Sequence, residues 1–99
     1  MDASRQQRVT IVVGSMPKLR PFAKMRHDAE RNRWVILAPE RVLALNVAAV
    51  AVLNLCDGRR TVAQIARELA TTYRAPDHRI RQDVIAMLQQ LADKGIVSA

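Results

Sequence analysis

Residues Cys56, Asp57, Gly58, Arg59, Arg60 and Thr61 set a thiol, a carboxylate and two guanidinium groups within one short corner. Arginines between two helices can touch phosphate, as they do in helix–turn–helix DNA binders. The plain reading of this pair is two solvated turn residues. A helix that reads bases should also present Arg, Asn or Gln near the exposed start of its face. The second helix offers Gln64 and Arg67 together with Glu68; the third offers Arg79, Arg81 and Gln82 together with Asp83. Each set includes an acid that phosphate repels. Nucleic-acid binding through Arg59, Arg60, Arg79 and Arg81 is therefore the runner-up function.

Catalysis needs convergent groups, and the remaining reactive residues do not converge. His27 falls in a strand candidate and His78 at a helix start, without metal-ligand spacing. Solvated imidazoles account for both. Cys56 ends an apolar segment, where a buried thiol is the ordinary outcome. The three glycines, Gly14, Gly58 and Gly95, serve as punctuation and form no phosphate-cradling loop. The expectation is a protein with no catalytic residues, no cofactor and no metal.

The elements that must position any site are readable from composition and spacing. The 99 residues suit one domain, and no run of about 18 apolar residues is present to span a membrane. A lone cysteine and the lack of a secretory signal point to the cytoplasm. With a single Phe, Trp and Tyr, the core must be aliphatic. The formal charge of +7 is uneven: residues 1–41 carry nine Lys/Arg against four Asp/Glu, and residues 42–99 carry seven against five. The basic excess thus lies away from the helical half.

Residues 1–18 read as an arm, flexible or exchanged between copies, and residues 19–99 as the domain. Within the arm, VTIVV at 9–13 is β-branched and could pair with a sheet edge. Lys24–Asp28, residues 34–37 (WVIL) and Val42, Leu43, Ala44 and Leu45 read as three strands of an antiparallel meander. Asn46 caps a first helix at 47–55, with Gly58 as its stop. Thr61 and Gln64 make a capping box for the second, whose buried stripe is Val62, Ile65, Ala66, Leu69 and Tyr73. Ala75-Pro76-Asp77 opens the third, which runs to about Lys94 before Gly95. Ile96 and Val97 then fold back onto the core. The fold class is α+β and winged-helix-like: a three-stranded antiparallel meander followed by three helices.

On a wheel of about 100° per residue, Ile80, Val84, Met87 and Leu91 form a stripe that seats the third helix. Leu88 lies at its margin, while Ile85 and Ala92 lie on a shoulder shared with Arg81 and Gln89. That shoulder is more apolar than seating requires. The third strand, at the end of the meander, exposes unpaired backbone groups that an extended peptide can complete. The expected peptide site is therefore Val42, Leu43, Ala44 and Leu45 with Arg81, Ile85, Leu88, Gln89 and Ala92.

The succession WVIL-AP-E, LALN, LNLCDGRRTVAQIA and DV…L…L…KGIV resembles the PqqD family of pyrroloquinoline quinone (PQQ) biosynthesis, across roughly residues 19–98. The resemblance implies a winged-helix-like peptide chaperone that binds the precursor peptide PqqA. It also implies presentation of that peptide to PqqE, a radical S-adenosylmethionine enzyme that holds the iron–sulfur clusters itself. In related recognition domains the leader segment adds to the third strand and packs on the third helix. Monomer and arm-exchanged homodimer both remain open.

Overall fold

A computed structural model of the chain describes residues 9–99; residues 1–8, the outer part of the arm, lie outside the described residues. The elements run β1 (Lys18–Leu19), β2 (Lys24–Asp28), β3 (Arg33–Ala38), β4 (Arg41–Leu45), α1 (Val47–Leu53), α2 (Val62–Tyr73), α3 (Asp77–Asp93) and β5 (Val97–Ser98). The three-stranded sheet has the order β2-β3-β4, and three helices follow it. This is the expected winged-helix-like α+β fold.

Local chemistry explains each boundary. The β-branched and aromatic RWVILA of β3 favours the pleated centre of a sheet, where Val35 and Ile36 are buried. Pro39 and Glu40 turn β3 into β4, with Glu40 at φ 62. The Asn46 side chain accepts from the Ala49 N–H at 2.7 Å to start α1. For α2 the capping box is complete: the Gln64 N–H donates to Thr61 Oγ1, and the Thr61 N–H donates to Gln64 Oε1.

The core is a single aliphatic cluster joining Ile36 of the sheet to Val52, Leu53, Ile65, Leu69, Val84, Leu88 and Leu91 of the helices. Ile96 and Val97 complete it from the C-terminus.

Four details depart from the sequence reading. A second small sheet pairs β1 with β5, Leu19 opposite Val97; two-residue strands carry too little periodicity to be read in advance. Helix α1 stops at Leu53, and its last turns tighten through Leu55 N–H to Val52 O and Cys56 N–H to Leu53 O. Tyr73 is exposed rather than buried. Residues 9–13 join no sheet; their partners belong to α2 and α3.

The basic corner is a turn held from within. Asp57 Oδ1 accepts from the N–H groups of Arg59 at 2.8 Å and Arg60 at 3.0 Å, which holds the carboxyl below its usual range. Gly58, at φ 79, donates its N–H to Pro17 O. A Cβ there would stand 3.1 Å from Lys18 Cδ in a left-handed backbone. Gly58→Ala should therefore lose about 1–2 kcal/mol, read as a melting temperature lower by roughly 5–15 °C.

Cys56 packs inside the core, and its thiol lies 3.3 Å from Val52 O. Burial, with a smaller contribution from the Asp57 charge, pushes its pKa up to about 12. The folded thiol thus stays protonated as pH rises through 9.0, the value of an unperturbed thiol, and its share of stability declines above that pH. Iodoacetamide at mildly alkaline pH should label it only under unfolding conditions; rapid labelling of the native protein would contradict this burial.

Candidate functional site

The sheet order leaves β4 at an edge. The two-residue turn makes Ala38 and Arg41 a mutually hydrogen-bonded pair, so bonded pairs recur at Ile36 with Leu43 and Trp34 with Leu45. The intervening residues, Val42 and Ala44, must therefore turn their N–H and C=O groups away from β3. Val42 is 61% exposed and lies opposite Leu37 on the outer face of the sheet. Leu43 and Leu45 pack inward against the core. An added strand would thus send alternate side chains over the outer face and toward the helices.

Beyond the end of β4 an apolar groove of about 500 Å³ opens between α1, the end of α2 and the first half of α3. Val47 and Ala51 line one wall, Ile80, Met87 and Asp83 the other, and Tyr73 stands at its side. A second hollow of about 520 Å³ continues past Val47 to Trp34 and Leu45. His27 packs against Trp34 in a tilted arrangement, with ring centroids 5.2 Å apart and planes at 59°. At the other end of β4, Arg41 and Lys94 share the rim of a smaller depression with Phe22. Helix α3 therefore approaches both ends of the strand.

The helical wheel orders these contacts. Leu88 is the centre of the buried arc and is 0% exposed, with Val84, Leu91 and Ala92 buried around it. Asp83, Met87 and Ile80 form one margin, which lines the groove. Arg81, Ile85 and Gln89 lie toward the other. The structure thus separates the residues singled out in sequence. Val42 and Ala44 present an open edge, and Leu43 and Leu45 support it. Leu88 and Ala92 are core, while Arg81, Ile85 and Gln89 lie across α3 from the groove.

That opposite margin is covered by the arm. Ile11 is buried, its N–H donates to Gln89 Oε1 at 2.8 Å, and Gln89 Nε2 donates to Val9 O at 2.7 Å. The groove residues Val47, Tyr73, Ile80 and Met87 were not singled out as a site. A signal existed: a valine directly after the Asn46 cap is a poor choice for a helix start, and Val47 is 80% exposed.

Among the described residues, no three His, Cys, Asp or Glu side chains converge to hold a metal ion. Nor, among them, is any helix long and apolar enough to cross a membrane. Arg60 of the corner lies 3.5 Å from Asp57 and 3.6 Å from Glu68. The first N–H groups of α2 are also occupied: Val62 donates to Ser15 O and Ala63 to Val13 O.

Fold and site together define a winged-helix-like binding domain, with an open strand edge beside an apolar groove. The chain belongs to the PqqD family: residues 33–97 match Coenzyme PQQ synthesis protein D (PqqD). It is 53% identical over 90 residues to the PqqA binding protein of Rhodopseudomonas palustris (strain BisB5), covering 91% of this chain and 88% of that one. The solution structure of the PqqD truncation of Methylobacterium extorquens PqqCD superposes with a TM-score of 0.80 at 42% identity, over 92% of this chain and 97% of that one. That protein is described as a functional, stand-alone recognition element for ribosomally synthesized and post-translationally modified peptides. The crystal structure of PqqD from Xanthomonas campestris gives a TM-score of 0.55 at 41% identity, over 87% of this chain and 96% of that one.

Groove and core should respond differently to truncation. Leu88→Ala should lose about 2–5 kcal/mol of stability by opening a cavity. Val47→Ala, at an exposed position, should stay within about 0.5 kcal/mol. Urea unfolding of the two variants checks both values, and a large loss at Val47 would place that residue in the core.

Proposed function

We infer that this chain is a non-catalytic cytoplasmic adaptor of PQQ biosynthesis, which binds the precursor peptide PqqA by strand addition and presents it to the radical S-adenosylmethionine enzyme PqqE. The observation that carries this reading is the open edge of β4. Val42 and Ala44 turn backbone donors and acceptors outward, and a groove walled mainly by apolar side chains begins just past the end of the strand, at Asn46 and Val47. Backbone hydrogen bonds hold an extended segment whatever its sequence, and the groove around Val47, Tyr73, Ile80 and Met87 selects apolar side chains along it. Membership of the PqqD family and the name of the R. palustris relative support the choice of peptide.

Presentation works by effective concentration: a leader held on an adaptor that also touches the enzyme makes their encounter nearly intramolecular. Lys24 and Arg26 alternate along β2 on the same outer face as Val42, so acidic surfaces of a partner meet positive charge there.

The nucleic-acid alternative is weakened by the same geometry. The start of α2 has N–H groups filled by the arm, and Arg60 is shared between two carboxylates.

Ala44→Pro removes an outward N–H from an edge strand without removing a ladder bond. Peptide affinity should fall about fivefold to tenfold, the worth of one hydrogen bond, while the melting temperature moves little. Titration of the variant with PqqA checks this; a folded variant with unchanged affinity would remove β4 from the site.

A further inference from the structure

Gln89 makes an unusual pair of bonds. It accepts from the Ile11 N–H and donates to Val9 O, at 2.8 and 2.7 Å, so one carboxamide spans the backbone groups that flank Thr10. In an extended chain those two groups lie on the same side. One residue of a neighbouring parallel strand, using its own N–H and C=O, would make the same two bonds. The Gln89 side chain therefore stands in for a strand at the surface of a helix, and it reads backbone rather than side chain.

The remaining contacts fit a bound segment. Ile11, only 3% exposed, is the anchor, with Val9 half-buried beside it, while Thr10, Val12 and Val13 face solvent. The carbonyls of Val13 and Ser15 accept from Ala63 and Val62 at the start of α2. A Cβ added at Gly14 would meet nothing within 4 Å, so no neighbour crowds the chain at that point. Gln89 Nε2 also lies 2.9 Å from Asp93 Oδ1 one turn along α3, which holds the carboxamide by a contact independent of the arm.

We propose that this margin of α3 is a second peptide site, separate from the β4 edge, that takes an extended segment with apolar side chains two residues apart, and that residues 9–15 fill it in cis. The arm is thus a resident ligand, and its release opens the site to an equivalent segment of a partner polypeptide. This proposal does not depend on the identity of the peptide at β4.

The test uses the full chain carrying Val9→Ser and Ile11→Ser, which should lift the arm, and a synthetic peptide of residues 9–15 (VTIVVGS) added in trans. NMR of the Gln89 side-chain amide reads occupancy. In a variant that keeps its core resonances, the peptide should bind with a Kd below about 1 mM and return the Gln89 signals to their wild-type positions. Gln89→Ala in the same background, followed through the backbone amides of α3, should weaken binding at least about tenfold, the worth of two neutral hydrogen bonds. No binding, or binding indifferent to Gln89, overturns the proposal.

Hydrogen exchange of the wild-type chain decides the matter if the double variant fails to fold. A resident ligand requires the Ile11 amide to exchange at least about 100-fold faster than that of Leu88, by local opening. Exchange of both amides only through global unfolding makes the arm part of the core and overturns the proposal.

Discussion

The apolar arc of α3 governs this structure. From Met87 and Ile80 through Leu91, Val84, Leu88 and Ala92 to Ile85, it spans about 160° of the helix at about 100° per residue. Leu88 at its centre is sealed by the core. No single neighbouring layer wraps such an arc, so its two margins meet different fates. The arm covers one, through Ile11 and Gln89. The other stays open as a groove and, with the unpaired edge of β4, offers both apolar surface and backbone hydrogen bonds. A sheet edge alone invites any strand; a groove beside it supplies selection.

The basic corner serves the scaffold. Asp57 turns its carboxylate onto two backbone N–H groups, Gly58 supplies the left-handed residue, and Thr61 starts α2. Each step follows from a residue type suited to it. Arm, corner and C-terminus are also tied together: Pro17 O accepts from Gly58, and β1 pairs with β5. The reactive-looking stretch thus fastens the segment at Pro17, and through β1 the C-terminal strand β5, to the helical layer.

Most of the fold was legible because its signals are local. Capping residues, a Pro-Glu turn and β-branched runs each act within a few positions, and they located the meander and three helices. The β4 edge was legible for the same reason. Which margin of α3 stays open was not. The wheel found an arc wider than a seat, but periodicity cannot say which margin meets the sheet. Gln89 meets the arm because Val9 and Ile11 pack there, a contact about 80 positions away in sequence. Tyr73 was read as core because its spacing matches the stripe of α2, yet the helix ends there and the ring stands at the groove.

The central claim is that an extended peptide completes β4 beside the open margin of α3. Its most direct test is an NMR titration of the full chain with the PqqA peptide, following backbone amides and cross-strand contacts. Strand addition should shift Val42 and Ala44 strongly, produce cross-strand contacts from the peptide to β4, and move Val47, Tyr73 and Met87 along the groove. Shifts confined to Arg59, Arg79 and their neighbours, with β4 unmoved, would contradict the account.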